Sequence, residues 1–319
     1  MQKLIELKQR IKTVQNIETI TRTLATVSAA KLSRTRSRAA GLREYTQRMG
    51  EILFDQQEYL ARQGQSLAAL SPLLKEKGKV NKIAIVLITA DRGMCGNYNL
   101  AVTRKCLDFW IKRQKAGQEA TFIAKGRKGE RYLKKRSANI VYYEGWRREG
   151  VLPEDVERLL AFLLDLYLTG QAEEVYAAYT QFYSPIRRRP LVRRLLPIKL
   201  EASEKVGGDK IEKWFYEPSF REIIHELLSI YLRVQLYDVL LESFASEQGA
   251  RMVTMQEATE RAQRTLKECR VMYNRLRREV ITIDLLSVLF ASKVVEETAT
   301  TPARLPHAGE ATLEKQRWL

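Results

Sequence analysis

The sequence predicts an α+β fold in which two long helices, at the two ends of the chain, form an antiparallel coiled coil with an α/β domain inserted between them. Residues 1–57 and 218–295 carry apolar side chains at steps of three and four and are nearly free of proline, which is typical of coiled-coil helices. The stretch between them changes to short β-branched runs that alternate with helical segments, which indicates a mainly parallel sheet. Antiparallel pairing follows because the inserted domain joins the end of the first helix to the start of the second.

The first helix is predicted over residues 1–57. Its apolar side chains recur at Leu4, Leu7, Ile11, Val14, Ile17, Ile20, Leu24 and Val27. The extra three-residue step near Ile17 predicts a stammer, which would overwind the coiled coil locally. A helix of this length would extend for about 85 Å. A rod of that length needs a partner helix along it.

The second helix is predicted over residues 218–295 and would extend for about 115 Å. Its heptad positions are Met255, Thr259, Ala262, Leu266, Cys269, Tyr273, Leu276, Val280, Ile283, Ser287 and Phe290. Several of these side chains are small, which favours a close contact between the two helices.

The inserted domain is predicted over residues 81–205. Strands are expected at 82–89, 120–124, 139–143, 174–180 and 191–200, and helices at 98–116, 127–137 and 153–169. This order predicts a Rossmann-like domain, with a connection at 58–80 before it and a loop at 206–217 after it. Residues 296–319 contain Pro302, Pro306 and Gly309, and this composition predicts a flexible tail.

The loop that follows the first strand, Asp91-Arg-Gly-Met-Cys-Gly-Asn97, superficially resembles a phosphate-binding loop. It lacks both the GxGxxG pattern and the lysine of the P-loop. We therefore expect a structural turn that includes Asp91, Gly93 and Gly96, with unusual backbone angles at the two glycines. Cys95 has no histidine near it in sequence, so a small buried thiol is expected rather than a nucleophile.

The composition limits the chemistry available to this chain. There are three cysteines without metal-binding spacing and two histidines, so we expect no catalytic residue, no cofactor site and no metal site. No apolar run is long enough for a membrane span, and the first residues lack the apolar core of a signal peptide. The net charge of +17 predicts a polyanionic partner, which leaves nucleic acid, anionic lipid and an acidic protein surface open.

Four segments resemble the gamma subunits of F-type ATP synthases. The first is 10–32, which begins with Arg-Ile-Lys-Thr-Val-Gln-Asn-Ile-Glu-Thr-Ile-Thr-Arg, and the second is the loop at 89–99. The third is 245–259, which begins with Ala-Ser-Glu-Gln-Gly-Ala-Arg-Met-Val-Thr-Met. The fourth is Tyr-Asn-Arg-Leu-Arg-Arg-Glu-Val-Ile-Thr at 273–282. The resemblance implies a central-stalk rotor that couples ion transport to ATP synthesis and has no catalytic site itself. It implies as partners a ring of alpha and beta subunits, an epsilon subunit and a ring of c subunits. It also implies peripheral attachment to the cytoplasmic face of a bacterial plasma membrane, with indirect membrane contact.

Charged side chains in the matched helices are the candidates for contacts with these partners. They are Arg10, Lys12, Arg22, Lys31, Arg34, Arg36, Glu247, Arg251, Arg275 and Arg278. For the first helix, a solvated charged face is the alternative interpretation. Glu247 and Arg251 are four residues apart, so an ion pair within the helix explains them equally well.

The chain departs from the resemblance in two places. Plant-type members carry a regulatory cysteine pair in an insertion of the middle domain, which is missing here, so no thiol switch is expected. The residues at 283–295 are bulkier than in other members and are followed by the additional tail, which suggests an atypical rotary enzyme or altered regulation. The alternative function is a basic coiled-coil protein that binds nucleic acid, although no known nucleic-acid motif is present. A bare scaffold would not need the four motifs, and an independent enzyme has the least support.

Overall fold

The computed structural model describes residues 2–62, 66–67, 71–147, 150–200 and 220–300. The first long helix, α1, spans Gln2–Arg62, and the last, α5, spans Phe220–Thr300. Both extend five residues beyond their predicted ends, so the first residues of the expected tail, 296–300, are helical. The predicted loop at 206–217 and the rest of the tail lie outside the described residues.

Between the two long helices lies the predicted α/β domain. Its elements are β1 (Lys82–Ile88), α2 (Tyr98–Lys115), β2 (Glu119–Lys125), α3 (Arg127–Lys134), β3 (Ile140–Glu144), α4 (Pro153–Leu168), β4 (Glu174–Phe182) and β5 (Arg188–Leu196). A short 3-10 helix at Pro72–Leu74 precedes them. The sheet order is β3-β2-β1-β4-β5, with β5 antiparallel and the other strands parallel. Predicted and observed elements agree in order and type; α3 ends three residues earlier than expected, and β5 begins and ends a few residues earlier.

The sheet is covered on both faces, as the apolar run in β1 predicts. Ile83, Ile85 and Leu87 pack with residues of α2 and α3 on one face. The alternate residues of β1 pack on the other face with α4 and with apolar residues of α1 and α5. The two-residue period of a strand therefore separates a two-helix layer from the layer that holds the long helices.

The described chain forms two compact units, one of residues 17–261 and one of residues 2–16 with 262–300. Within the larger unit, α1 and α5 run antiparallel, as predicted. Thr259 Oγ1 donates a hydrogen bond of 2.8 Å to Thr21 Oγ1. Farther along α1, Gly50 lies beside the ring of Tyr231, and a Cβ at Gly50 would lie 3.7 Å from that ring. The residue numbers rise along α1 as they fall along α5, which defines the antiparallel direction.

The predicted seam of α1 is wrong at three of its four positions after Val14, and the fourth, Leu24, is half-buried. Ile17, Ile20 and Val27 are 46%, 57% and 47% exposed. The buried positions are Thr21, Ala25, Ser28, Leu32 and Thr35, at regular steps of four and three. The heptad therefore continues without a stammer. Small and hydroxylated side chains occupy these positions because they let the helices approach closely, and Thr21 bonds its hydroxyl to the carbonyl of Glu18.

In the smaller unit, the predicted seam of α5 holds only in part. Ala262 and Cys269 are buried, and the heptad positions from Leu266 to Val280 are half-buried or buried. Every residue from 281 to 293 is exposed, including the predicted seam residues Ile283, Ser287 and Phe290. This part of α5 consequently presents its apolar side chains outward.

Candidate functional site

Helix α5 is enclosed on all sides between Leu241 and Arg251, where every side chain is buried. Three segments at the carboxyl edge of the sheet surround it: 89–98 after β1, 145–147 with 150–151 after β3, and 180–185 at the end of β4. Parallel strands end at the same edge, so these segments arrive together. We call them the collar.

The first collar segment contacts α5 at two levels. The hydroxyl groups of Tyr98 and Ser243 share a hydrogen bond of 2.8 Å, and both residues are buried. Gly96 has a φ of +56°, and a Cβ there would lie 2.9 Å from Thr254 Oγ1. The backbone at this point must be glycine, because a side chain would be both strained and crowded against α5.

The second collar segment packs an aromatic ring against α5. The ring of Trp146 lies 5.5 Å from that of Phe244, centroid to centroid. Gly150, with a φ of +110°, approaches the same phenyl ring, and a Cβ there would lie 3.2 Å from it. The ring of Phe244 therefore contacts both the indole of Trp146 and the backbone of Gly150.

The third collar segment meets the opposite side of α5. Ser246 Oγ donates a hydrogen bond of 2.9 Å to the carbonyl of Thr180. Gly249 gives space to the hairpin, since a Cβ there would lie 3.2 Å from Phe182 and 3.4 Å from Pro185 Cα. Contacts therefore reach α5 from around its circumference, so the collar resists rotation of the helix about its own axis.

Asp91, which was predicted only as part of a turn, anchors the collar to the sheet. One carboxylate oxygen accepts the backbone N–H of Arg127 at 2.8 Å, and the other accepts that of Trp146, also at 2.8 Å. The neighbouring Thr89 accepts the N–H of Gly129 at 2.7 Å, and the carbonyl of Ala90 accepts that of Lys128. The amino terminus of α3 is therefore fully satisfied by the chain's own residues.

This arrangement fills two places where an α/β domain can hold a ligand. Phosphates commonly bind at a helix N-terminus, and here that position holds Asp91. Ligands also bind where the strand order reverses, which in this sheet lies between β1 and β4. Side chains of α5 lie there, since Ser243 and Ser246 bond to Tyr98 and Thr180. The geometry thus fits a mechanical junction.

The predicted backbone angles of the turn are half right. Gly96 has the expected positive φ, but Gly93 does not, and Met94 adopts a φ of +61° instead. The side chain of Met94 is exposed, so the strain of this conformation is limited to its own backbone. The carbonyl oxygen of Gly93 instead accepts a hydrogen bond from the guanidinium group of Arg251.

Glu247 and Arg251 form a buried ion pair of 2.7 Å within α5. Arg251 also reaches the carbonyls of Arg92 and Gly93, which ties α5 to the first collar segment. The other carboxylate oxygen of Glu247 is buried without a hydrogen-bond partner among the described residues. Burial raises the pKa of Glu247, and Arg251 opposes that rise. Because both side chains are turned inward, we do not retain them as contacts to other subunits.

Cys95 lies beside this pair and is buried. Burial raises the pKa of its thiol, and Asn99 Nδ2 lies 3.2 Å from the sulfur. A thiol with a raised pKa is a poor nucleophile, which agrees with the expected structural role. Cys106 and Cys269 are likewise buried and free.

A second polar network supports the collar from the side of β3. Lys125 is almost fully buried, and its ammonium group donates to Glu144 at 2.9 Å and to the carbonyl of Gly145 at 3.2 Å. The same ammonium lies over the indole of Trp146 at 5.1 Å. Arg158 bonds Glu144 from the solvent side. The indole that packs on Phe244 is therefore also held by the network around Lys125.

The remaining candidate contact residues do not form one cluster. Lys31 is half-buried, whereas Arg10, Lys12, Arg22, Arg34, Arg36, Arg275 and Arg278 are exposed. Arg22 is paired with Glu18, and Arg275 lies 3.1 Å from Glu279, both within one helix. The guanidinium of Arg36 sits 6.0 Å from the ring centre of Phe182. Their role in partner contacts stays a prediction.

Sequence reasoning missed two exposed apolar surfaces. One is the outer stripe of α1 at Ile17, Ile20 and Val27, which the run of apolar residues assigns wrongly to the seam. The other is the terminal apolar segment of α5, residues 281–293. A strict heptad count from Leu4 would have separated the outer stripe from the true seam, because only Thr21, Ala25 and Ser28 continue the register of Leu4, Leu7, Ile11 and Val14.

The described residues contain no group of His, Cys, Asp and Glu that could hold a metal ion. None of the described helices has a stretch long and apolar enough to cross a membrane.

The fold and the collar define a coiled-coil protein in which an inserted α/β domain packs against the long helices. A family model described as ATP synthase matches residues 3–292. The ATP synthase gamma chain of Moorella thermoacetica is 35% identical over 289 residues, which cover 89% of this chain and 96% of the relative. That of Chloroherpeton thalassium is 31% identical and covers 94% and 100%. The chain belongs to the ATP synthase gamma chain family.

Solved structures show the same fold. A chain of the Euglena gracilis mitochondrial ATP synthase matches with a TM-score of 0.60 and 13% identity, covering 96% of this chain and 99% of that one. A chain of the central stalk and c-ring of the Tetrahymena thermophila enzyme matches with a TM-score of 0.54 and 19% identity, covering 75% and 99%. These comparisons give no support to a nucleic-acid-binding function.

Proposed function

We propose that this chain is the central-stalk rotor of a rotary ATP synthase and couples ion flow to ATP synthesis or hydrolysis by turning within a ring of alpha and beta subunits. The catalytic sites would lie on the beta subunits, and this chain would contribute no reacting group. An epsilon subunit and a ring of c subunits would bind the α/β domain. In a bacterium the complex would lie at the cytoplasmic face of the plasma membrane, with this chain attached peripherally.

The terminal apolar segment of α5 carries this proposal. Seven large apolar side chains between Ile281 and Phe290 are between 46% and 67% exposed. At 3.6 residues per turn they spread over roughly 220° of the helix circumference. A helix that packs on a single partner needs an apolar stripe only a little over 100° wide. Contact on several sides at once therefore suits this segment, as a surrounding ring would provide.

The outer stripe of α1 supports the same arrangement. Ile17, Ile20 and Val27 follow one another at helical spacing and face away from α5. A monomeric protein seldom leaves such aligned apolar side chains in water. The positive charges of Arg10, Lys12, Arg22 and Arg34 lie on the same helix, where acidic loops of a surrounding ring would complement them.

The collar supplies the mechanical part of the proposal. A rotor must pass torque from the domain held by the c ring to the helices held by the catalytic ring. The buried contacts of Tyr98, Trp146 and Ser246 with α5 connect these two parts of the chain. Rotation of the domain would therefore carry α5 with it, and the orientation of α5 would bias the conformation of each beta subunit.

The test is co-expression with the alpha and beta subunits of the source organism, followed by native mass spectrometry and an ATPase assay. We expect a complex that holds one copy of this chain among several copies of each partner. Leu286→Asp with Phe290→Asp should weaken assembly at least about tenfold, because two charges would enter an apolar enclosure. Ser287→Asp with Ala291→Asp adds the same charges on the polar arc and should assemble. Equal behaviour of the two variants, or no complex at all, would refute the proposal.

A further inference from the structure

The short helices of the α/β domain differ sharply in charge. On one face of the sheet, α2 carries five lysines and arginines with one carboxylate, and α3 carries four with one. On the other face, α4 carries one arginine and four carboxylates. A surface that serves solubility alone mixes charges of both signs. The excess of cations on the face of α2 and α3 therefore needs an explanation of its own.

Five cations of α3 and its C-terminal cap residue point to the same side, and we call them the basic arc. They are Arg127, Lys128, Arg131, Lys134 and Lys135. At roughly 100° per residue they fall within about 120° of the helix circumference, along about 12 Å of its axis. Residues four positions apart on a helix have Cβ atoms about 5–6 Å from each other. The geometry of the helix therefore clusters these charges.

The basic arc faces away from the sheet. Gly129 and Leu133 are buried and lie on the opposite side of α3, roughly 180° from the centre of the arc. A Cβ at Gly129 would lie 3.2 Å from Leu87 of β1, so this opposite side touches the sheet. All members of the arc are exposed except the half-buried Lys128. Within the described ranges, Lys134 is the one member that forms an ion pair.

Two carboxylates border the arc, and both are engaged. Glu130 is half-buried and lies 2.7 Å from the ammonium group of Lys134. Asp91 accepts two backbone N–H groups, one at the start of α3 and one in the loop after β3. These two negative charges leave an excess among the five cations of the arc. The pair of Glu130 with Lys134 also shows that a carboxylate is a suitable ligand for this surface.

Local stability explains only the later part of the arc. Cations in the last turn of a helix interact favourably with its dipole, which accounts for Arg131, Lys134 and Lys135. Arg127 and Lys128 lie in the first turn, where a cation opposes the dipole. Their positions are unfavourable for the helix by itself, so an anionic neighbour outside the chain explains them better.

Two tyrosines flank the basic arc. The guanidinium group of Arg136 lies over the ring of Tyr132, 3.9 Å from its centre. Tyr143 of β3 is 42% exposed, and its register with β2 turns its side chain to the face that α3 covers. Its hydroxyl lies near the first turn of α3, since a Cβ at Gly145 would be 3.5 Å from that hydroxyl and 3.3 Å from the carboxylate of Asp91. The arc therefore has an aromatic group on its flank and another at its start.

The composition of this surface indicates the kind of neighbour that fits it. Arginine and tyrosine are enriched in protein interfaces and among the residues that contribute most to binding. A guanidinium group binds a carboxylate through two parallel hydrogen bonds. The length of the arc, about 12 Å, equals about two turns of a partner helix. A specific interface with nucleic acid usually buries about 1,000–2,500 Å² of protein surface, which is more than one short helix offers.

We propose that the basic arc binds a carboxylate-rich segment of another protein, with Tyr132 and Tyr143 contacting the apolar parts of that segment. Neither the enclosure of the long helices nor the contacts of the collar use this face of the domain. The binding is a property of the chain by itself and does not depend on the proposed function. It weakens with salt, because the cations are exposed and readily screened.

The test compares variants with matched losses of charge. The arc variant carries Arg127→Gln, Arg131→Gln and Lys135→Gln. The control variant carries Arg48→Gln on α1 with Arg187→Gln and Arg189→Gln at the β4–β5 hairpin. All six side chains are exposed. The control positions lie away from α3, because α1 packs on the other face of the sheet and β5 is at the edge opposite β3.

The full chain is titrated with a fluorescent copolymer of glutamate and tyrosine and with polyglutamate of the same length, and circular dichroism establishes that every variant folds. Each exposed ion pair contributes about twofold to binding, so the arc variant should bind the copolymer at least about fivefold more weakly, and the control variant less than about twofold. Tyr143→Ala should weaken binding of the copolymer about threefold and leave that of polyglutamate unchanged. Tyr45→Ala, at an exposed tyrosine of α1, should change neither.

Three results would overturn the proposal. The first is an absence of binding to the copolymer, and the second is an equal loss of affinity in the arc and control variants. The third is an arc variant whose affinity for single-stranded DNA or for phosphatidylglycerol vesicles falls by a larger factor than its affinity for the copolymer, since the surface would then serve nucleic acid or lipid. Because no other subunit is present, failure of assembly with alpha and beta subunits would count against the proposed function alone.

Discussion

The side-chain carboxylate of Asp91 accepts the backbone N–H of Trp146 at 2.8 Å, while its other oxygen caps α3 at Arg127. One side chain thus joins the loops that follow two different strands. Because Trp146 packs on Phe244 of α5, this single carboxylate helps to determine how the sheet holds the long helix.

Asp91→Asn is expected to destabilise the domain. The asparagine amide would place a donor against a backbone donor; because Asp91 is half-buried, we expect a loss of about 1 kcal/mol, the lower end of the cost of an unpaired polar group. Chemical unfolding of the full chain, followed by circular dichroism, measures this loss. Asp108→Asn, on the exposed face of α2, is the matched control and should change stability by less than about 0.5 kcal/mol. Equal effects would remove Asp91 from its anchoring role.

Gly126→Ala should be more harmful than Gly117→Ala. Both glycines have positive φ, but a Cβ at Gly126 would lie 2.1 Å from the carbonyl oxygen of Thr89, whereas Gly117 has nothing within 4 Å. Backbone strain of about 1–2 kcal/mol applies to each, and the clash adds to it only at Gly126. Thermal unfolding of the two variants compares them directly. Similar melting temperatures would mean that the approach of β2 to Thr89 is not close.

Arg251→Leu should cost about 3–5 kcal/mol, because it leaves Glu247 buried without its cation. The double variant Glu247→Gln with Arg251→Leu removes both charges and should recover much of that loss. A double-mutant cycle on the unfolding free energy gives the coupling between the two side chains. Additive effects would show that the pair does not act as a unit.

The same variant gives a pH dependence with a definite sign. Burial raises the pKa of Glu247 in the folded chain, and removing Arg251 takes away the cation that opposes this rise. A folded carboxyl with a raised pKa binds protons more tightly than the unfolded one, so its favourable contribution is present at low pH and is lost as pH rises through the folded value. The cost of Arg251→Leu should therefore shrink as pH falls toward the ordinary glutamate value of 4.5. A cost independent of pH would contradict this account.

The corrected seam of α1 predicts opposite outcomes for two neighbouring positions. Leu32→Ala should destabilise the isolated chain by about 2–4 kcal/mol, since the side chain is buried against α5. Val27→Ala should change it by less than about 0.5 kcal/mol, because the side chain is half exposed. Unfolding of the chain without partners distinguishes them. In the assembled complex we expect Val27→Ala to weaken binding, which native mass spectrometry would detect.

The order of elements could be predicted from the sequence because periodicity changes clearly between the ends and the middle. The run Lys82–Ile88 is apolar throughout after its first residue, as a strand buried on both faces must be. The seam of α1 could not be found by hydrophobicity, because Ile17, Ile20 and Val27 are the more hydrophobic residues, whereas Thr21, Ala25 and Ser28 are the ones that allow close packing. Spacing was the better guide.

The collar could be predicted only as a turn. Nothing in Gly96 alone indicates that it faces Thr254 of α5, some 150 positions later in the chain, or in Asp91 alone that it accepts the backbone N–H of Trp146. The burial of Glu247 and Arg251 was equally hidden, since an i,i+4 ion pair is normally a surface feature. The family resemblance placed these residues correctly in sequence but left open which way they point.

The anion position at the start of α3 is occupied by a group that is covalently part of the same molecule. A bound phosphate would leave such a position when its concentration fell, and the neighbouring loops would loosen with it. Asp91 is part of the chain, so its carboxylate stays at this position at any concentration of solutes. The contact of Trp146 with α5 therefore needs no bound nucleotide or phosphate at this position.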